Sequence, residues 1–366
     1  MPDLVDWELA ERIAVRASGR EPLADSYLAD SLAADFEELT ALAEELVEAE
    51  TGLRSLAGPA RGQVTDRAGW VRANIASFQR LLSPVTDKMA SRVVGPGAMV
   101  MRKAAAAEIG MLLGWMSGRV LGQYDLLMAS GDDAEAGDPE HGPDHGDTVY
   151  YVGPNVLALE KRFGFPPREF RLWLALHEVT HRAQFTGVPW MREHYLSLVD
   201  SMLGSASVDP MVLFNAVKRA VTEIRAGRSP MADGGVAHLL ASPEQRAVLD
   251  QIGGLMSLLE GHGDMTMNRA GIGHVPSADR FARVLQQRRM SANGVNRFVQ
   301  RVLGLEAKLN QYQQGEDFIA EVERLAGGKT GLEPAWRGPS WLPTLAEIRD
   351  PEEWVDRVRL SEELVS

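Results

Sequence analysis

The segment from Arg171 to Phe185 constrains the fold of this chain more than any other. Its side chains are apolar nearly all the way round a helical wheel, which is typical of a helix enclosed by other elements. The same segment carries His177, Glu178 and His181. Burying ionisable groups is costly unless partner groups or a metal offset the loss of hydration. The sequence therefore predicts a buried helix that carries a polar site.

The spacing of these three polar residues fits the needs of a zinc ion. Side chains four residues apart lie on one face of a helix, so His177 and His181 can direct imidazole nitrogens at a single ion. Glu178 is turned by about 100° from His177, close enough to reach a water on that ion without being a ligand. Zinc lowers the pKa of such a water towards about 7, and the carboxylate can take its proton and pass it to the leaving group. The motif predicts a catalytic zinc with Glu178 as general base.

A third protein ligand is expected, because catalytic zinc takes three and keeps a fourth position open. A second apolar helical run, from Leu255 to Met265, contains Glu260 as the first candidate and His262 as the second. Asp264 follows Glu260 on the same face and is predicted to accept the free N–H group of a ligating histidine. This Glu-x-x-x-Asp pattern resembles the second motif of the gluzincin metallopeptidases. The weaker candidate ligands are Glu193 and His194.

Hydrolysis of an amide also needs a group, besides the metal, that stabilises the oxyanion of the tetrahedral intermediate. By residue type alone, the candidates are His194, His262 and Tyr312. Tyr312 sits among glutamines, and an exposed position on a helix is an equal interpretation of it.

Helical periodicity dominates the rest of the chain. It predicts helices over 26–50, 65–90 with a break at Pro84, 98–128, 167–186, 191–203, 210–226, 242–269, 278–290 and 294–325. The best strand candidate is Thr148–Val152, ended by a Gly-Pro-Asn turn. We therefore expect a mainly α fold with a minor strand component around 148–152. An N-terminal helical region (1–130) and a metal-site helical region (131–366) would form one integrated domain.

Four glycines recur at every fourth position of the third predicted helix: Gly110, Gly114, Gly118 and Gly122. Each glycine costs about 1 kcal/mol in a helix interior, so a repeated stripe needs a physical reason. We expect another helix to approach closely along this stripe. An exposed stripe would instead favour a helical protein that uses this surface to bind a partner.

The segment 131–147 is rich in aspartate, glutamate, glycine and proline. This composition predicts an acidic surface insertion, mobile and without regular structure. The segment also contains His141 and His145, so a metal-binding loop is the alternative interpretation.

Composition narrows the classes of function. The 366-residue chain is 45% hydrophobic and 24% charged, which is ordinary for a globular protein with a large core. Its formal net charge of -13 argues against a partner that is a nucleic acid or an anionic membrane. The absence of cysteine excludes thiol nucleophiles and Cys-ligated zinc. With no secretory signal and no apolar run long enough to span a bilayer, a cytoplasmic protein is expected.

Four segments carry a resemblance to a known family: Tyr151–Asn155, Leu174–His181, Leu258–His262 and Leu305–Tyr312. Together they resemble an uncharacterised zincin-like family of hydrolases, some of whose members are associated with biosynthesis of a deazaflavin coenzyme. The resemblance covers most of the chain, from about residue 20 to Pro343–Leu345. It implies a mainly helical zincin-like fold and a metallopeptidase activity, but no particular substrate. The acidic segment 131–147 departs in character from the rest.

The leading interpretation is a zinc-dependent hydrolase that cleaves an amide or peptide bond, with His177, His181 and Glu260 as ligands of Zn²⁺. Its substrate would be a peptide or a small amide. The alternative is a non-catalytic, zinc-stabilised helical protein that acts as a binding or scaffold partner. An open zinc position facing a cleft would favour the enzyme, and a fourth protein ligand or a sealed site would favour the structural role.

Overall fold

The structure, a computed structural model, describes residues 5–21, 23–24, 26–90, 96–126, 148–204, 243–290 and 305–365. Over these residues the fold is mainly α with a small sheet, as the periodicity predicts. The helices are α1 (Trp7–Ala17), α2 (Leu32–Thr51), α3 (Arg67–Ala90), α4 (Pro96–Ser117), α5 (Gly153–Phe163), α6 (Pro167–Gly187), α7 (Met191–Gly204), α8 (Pro243–Ala270), α9 (Ala278–Met290), α10 (Leu305–Ala326), α11 (Leu345–Arg349) and α12 (Pro351–Val365). Short 3₁₀ helices span Tyr27–Ala29, Lys329–Trp336 and Pro339–Trp341. Within the described ranges, no helix combines the length and the apolar character needed to cross a membrane.

The sheet has three strands, β1 (Arg61–Thr65), β2 (Gly122–Tyr124) and β3 (Thr148–Val152), in the order β1-β3-β2. β1 runs parallel to β3, with Arg61 opposite Thr148, and β2 runs antiparallel to β3, with Gly122 opposite Tyr151. The predicted strand at 148–152 is confirmed, and it is buried along nearly its whole length. This burial on both faces explains why its sequence is an almost continuous apolar run.

Three sequence-based expectations about element ends are wrong. The helix predicted over 98–128 ends at Ser117, because the glycines that follow favour a turn and the chain then pairs with β3 as β2. α3 continues through Pro84, since a proline removes one backbone hydrogen bond and can bend a helix without ending it. The Gly153–Asn155 segment begins α5 rather than a turn, because proline is tolerated in a first helical turn, where its missing N–H would have no helical partner.

Other predictions fall outside the described residues. These are the helix over 210–226, the first part of the helix over 294–325, the boundary between 130 and 131, and the acidic segment 131–147 with His141 and His145. They stay predictions.

The chain divides into two compact units. The first comprises residues 1–187 and 266–281, and the second comprises residues 188–265 and 282–366. In the first unit, α1, α3 and α4 enclose an apolar core that includes Trp7, Trp70 and Leu113. In the second unit, part of α8 packs with α10, α12 and the 3₁₀ segment 329–336 around Phe318 and Trp354. Each unit therefore has an apolar core of its own.

Half of the glycine stripe has the predicted role. A Cβ atom added to Gly110 would lie 2.6 Å from the carbonyl oxygen of Ala10, and one added to Gly114 would lie 2.6 Å from that of Ala14. The backbones of α1 and α4 thus touch where these two buried glycines lie. They are covered by a helix of this chain rather than available to a partner. The other two glycines of the stripe lie beyond the end of α4.

Gly114→Ala tests this close approach. The added methyl group must push α1 away, so we expect the free energy of unfolding to fall by about 1–3 kcal/mol, measured by urea denaturation. Gly97→Ala is the matched control on the same helix, because nothing lies within 4 Å of its added Cβ. The control should be neutral or slightly stabilising. Equal effects of the two substitutions would contradict the close approach of α1 and α4.

Candidate metal centre

α6 carries the His-Glu-x-x-His motif and is the buried helix that the sequence predicts. Its apolar residues around the motif are almost fully enclosed: Leu172, Leu174, Leu176, Val179 and Ala183. His177, Glu178 and His181 are half-buried. The motif therefore occupies the more accessible part of an enclosed helix.

Two buried arginines hold α6 on either side of the motif. Arg171, 3% exposed, pairs with Asp35 of α2 and makes two hydrogen bonds, of 2.9 and 3.0 Å, to the carboxylate of Glu160 in α5. Arg182, 1% exposed, pairs with Glu44 of α2. Because these ion pairs lie before and after the motif, α6 is held along its length. The acids between the apolar residues of α2 therefore have a structural role in this helix contact.

The two imidazole rings of the motif face each other. Nε2 of His177 and Nε2 of His181 are 3.3 Å apart, and the ring planes are inclined by 87°. Two nitrogen ligands at about 2.0–2.1 Å from a tetrahedral zinc ion lie about 3.3–3.4 Å from each other. The spacing of the two nitrogens is therefore that of two ligands of one zinc ion.

A buried glutamine orients the ring of His181. Oε1 of Gln184 lies 2.9 Å from Nδ1 of His181. An amide oxygen can only accept a hydrogen bond, so Nδ1 carries the proton and Nε2 keeps its lone pair for a metal. Sequence analysis missed this residue. The available signal was its position three residues after His181, on the same side of the helix.

Glu178 lies against the end of β2. Its Oε2 accepts a hydrogen bond of 3.2 Å from the backbone N–H of Tyr124. The pKa of Tyr151 in β3 is raised, mainly by burial and also by the negative charge of Glu178. The hydroxyl of Tyr151 forms a hydrogen bond of 2.9 Å with the hydroxyl of Thr40. Tyr151 thus stays neutral, and the small sheet provides the surroundings of Glu178.

Glu260 occupies a well-fixed position on α8 and is 4% exposed. A Cβ atom on the next residue, Gly261, would lie 2.3 Å from the carbonyl carbon of Gly315 in α10, so the two backbones touch here. One ligand atom from each of His177, His181 and Glu260 lies within 4.8 Å of the other two. In the part of the chain that the structure describes, no other group of three or more such residues could hold a metal ion. The three residues that rank first as ligands in the sequence are therefore brought together.

The other residues singled out on α8 do not belong to this group. His262 is buried, and its ring packs edge-on against Trp336 with the ring centroids 5.0 Å apart. Asp264 is half-buried, one turn after Glu260. For His181 the N–H acceptor is Gln184. The role of Asp264 as an acceptor, and that of His262 as an alternative ligand or oxyanion stabiliser, stay predictions.

The weaker candidates also lie outside the group. Glu193 is exposed. His194 is half-buried beside Trp190, and burial lowers the pKa of its imidazole. The backbone of Tyr312 lies in α10, but its side chain is outside the described part of the structure. Its role in catalysis stays a prediction.

A mainly helical fold with a His-Glu-x-x-His motif on a buried helix is typical of zincin-like metalloproteins. Comparison with known proteins identifies the family. The chain belongs to the zincin-like metallopeptidase family, whose sequence profile matches residues 5–355. It is similar to a protein from Chloroflexus aurantiacus, described from its crystal structure as a candidate hydrolase with a novel fold. The two are 31% identical with a TM-score of 0.70, over 97% of this chain and 99% of that one. No curated protein matches the chain. The resemblance to a zincin-like family is confirmed.

The grouped residues fit the metal that this family implies. Zincin-like proteins use a divalent metal, typically zinc. Two imidazole nitrogens and one carboxylate oxygen form a ligand set found in catalytic zinc sites. The 3.3 Å separation of the two Nε2 atoms and the proton that Gln184 holds on Nδ1 of His181 suit the same ion. The donor set, the spacing and the tautomer therefore all agree with zinc.

Arg171→Met tests the ion pairs that fix α6. Without the guanidinium, Glu160 is left as an uncompensated buried charge, so we expect the free energy of unfolding to fall by about 3–5 kcal/mol, measured by urea denaturation. The double variant Arg171→Met/Glu160→Met removes both charges and should recover much of that loss. A double variant as unstable as the single one would contradict the unpaired charge of Glu160 as the cause of the loss.

Proposed function

We propose that this protein is a zinc-dependent hydrolase that cleaves an amide or peptide bond. The grouping of His177, His181 and Glu260 within 4.8 Å carries the proposal, because these residues provide a three-ligand set with both imidazoles on one helix. Membership of the zincin-like metallopeptidase family supports a hydrolase. The preference for a peptide rests on that family, since a metal and a base alone would also serve esters or cyclic amides.

Each residue of the proposed centre has a distinct task. His177, His181 and Glu260 would hold the zinc, and Gln184 keeps the ring of His181 in the tautomer that could bind it. When bound, zinc lowers the pKa of a water molecule and polarises a carbonyl group. Glu178 accepts the proton that the attacking water loses and delivers it to the leaving nitrogen. The hydrogen bond from Tyr124 to Oε2 holds the Glu178 carboxylate while the proton is transferred.

Glu178→Gln separates the base from the metal ligands. The amide cannot accept the proton, so kcat for peptide hydrolysis should fall by about 10²–10⁴-fold while about one zinc per chain is kept. The measurements are release of amino groups from a synthetic peptide library and zinc content by atomic absorption. In the companion variant His177→Ala, zinc and activity should both be lost.

Each alternative has its own signature in this experiment. Full activity in Glu178→Gln would mean that Glu178 is not the base. Undiminished zinc in His177→Ala would mean that the ligand set is wrong. A zinc-bound wild-type protein that cleaves no peptide and has a fourth protein ligand would favour the non-catalytic, zinc-stabilised alternative.

A further inference from the structure

We propose that Gly122 and the backbone N–H of Tyr124 form a seat that positions the carboxylate of Glu178. The seat is a feature of β2 and is separate from the metal ligands. Its consequence for the reaction rests on the proposed function, in which Glu178 is the general base. Gly122 and Tyr124 are positioning residues in this scheme, since they act on substrate only through Glu178.

The outer edge of β2 provides the donor. The N–H of Val152 in β3 donates to the carbonyl oxygen of Leu121 at 2.9 Å. Because hydrogen-bonded and non-hydrogen-bonded pairs alternate along an antiparallel ladder, the N–H groups of Gly122 and Tyr124 point away from β3. The N–H of Tyr124 donates to Oε2 of Glu178 instead. A strand-edge donor is thus satisfied by a side chain of the metal-binding helix.

Glycine at position 122 makes the room that this contact needs. A Cβ atom there would lie 2.7 Å from Cγ, 2.9 Å from Cδ and 2.8 Å from Oε1 of Glu178. Carbon atoms do not approach so closely without a bond, so any larger residue must displace the carboxylate or the strand. The fourth glycine of the stripe therefore serves a close approach, but to a carboxylate rather than to a helix.

β2 is held firmly by its neighbours, so a side chain added at position 122 would displace the Glu178 carboxylate rather than the strand. The Nε1 of Trp70 donates to Oε1 of Gln123 at 2.7 Å, and Asn74 and Gln123 exchange amide hydrogen bonds of 3.2 and 3.4 Å. The hydroxyl of Ser77 bonds to both carboxylate oxygens of buried Asp125 at 3.2 Å.

These three residues of α3 follow one another at i, i+4 and i+7, so they lie on a single face of that helix. They form hydrogen bonds with Gln123 and Asp125, which are alternate residues of the chain, so their side chains lie on one side of the sheet. The intervening residues, Gly122 and Tyr124, face Glu178. β2 is therefore held by β3 and by α3, whereas Glu178 is the flexible end of a side chain.

The seat fixes the direction of the base. The hydrogen bond from Tyr124 helps to set the direction of the Glu178 carboxylate, and misplacing a catalytic group by about 1 Å can cost about 10²-fold in rate. Gly122→Ala is therefore expected to leave the metal ligands intact and to move the base.

NMR of selectively labelled protein tests the hydrogen bond between Tyr124 and Glu178 without any enzymatic assay. The chain has 6 tyrosines, so ¹⁵N-tyrosine labelling gives a simple amide spectrum in which Tyr124→Phe assigns one resonance. Glu178→Ala should shift the Tyr124 amide resonance, and Gly122→Ala should move it towards the same position. Gly118→Ala is the matched control, because its added Cβ would meet only Arg67, at 3.8 Å, and the resonance should stay in place.

The functional readout is made on the same samples with the peptide library. Gly122→Ala should keep about one zinc per chain and lower kcat about 10²-fold with little change in KM. Gly118→Ala should match the wild type. If Gly122→Ala shifts the Tyr124 amide resonance while kcat is unchanged, the seat is supported and Glu178 is not the base. That result would contradict the proposed function without contradicting the seat.

The seat itself is overturned if Glu178→Ala leaves the Tyr124 resonance unmoved, or if Gly118→Ala moves it as much as Gly122→Ala does. Should Gly122→Ala not fold, Glu178→Asp on the wild-type strand gives the same test. Its carboxylate is one methylene shorter and cannot keep the bond to Tyr124, so an unchanged resonance in this variant also contradicts the seat.

Discussion

Buried ion pairs from Arg171 and Arg182 to acids of α2 fix the helix on which the candidate metal centre depends. Removing two guanidinium groups from water is costly, and buried ion pairs of this kind contribute more to specifying one arrangement than to net stability in some proteins. Here they lie before and after the two histidines, so they anchor α6 on both sides of the motif. The 3.3 Å separation of the two Nε2 atoms comes from the four-residue spacing of the histidines on α6, and the ion pairs fix the helix that carries them.

The three-stranded sheet positions Glu178, just as the ion pairs position the helix that carries the two histidines. β3 is the buried central strand, and it carries on its edge a strand of only three residues. That short strand ends beside Glu178 and offers it one backbone N–H group and one position without a side chain. A small sheet in a mainly α protein thus has a local purpose, which is to orient one carboxylate.

The sequence predicts the main helices, the central strand and the ligand candidates, but not β2 or the groups that orient the side chains of the centre. α6, α8 and β3 have strong periodicity or a long apolar run, so their existence follows from the pattern alone. β2 could not be predicted, because three residues beginning with glycine carry no periodicity and owe their conformation to pairing with β3. Gln184 was missed because its role depends on a side-chain rotamer. Glu260 was a candidate from its apolar surroundings, but no local pattern contains its grouping with His177 and His181.

Anomalous diffraction at the zinc absorption edge, from crystals of the zinc-loaded protein, tests the central claim most directly. The account predicts one strong peak per chain, bonded to Nε2 of His177, Nε2 of His181 and a carboxylate oxygen of Glu260, with water in the remaining position. A peak at other residues, or a zinc ion closed off by a fourth protein ligand, would contradict it.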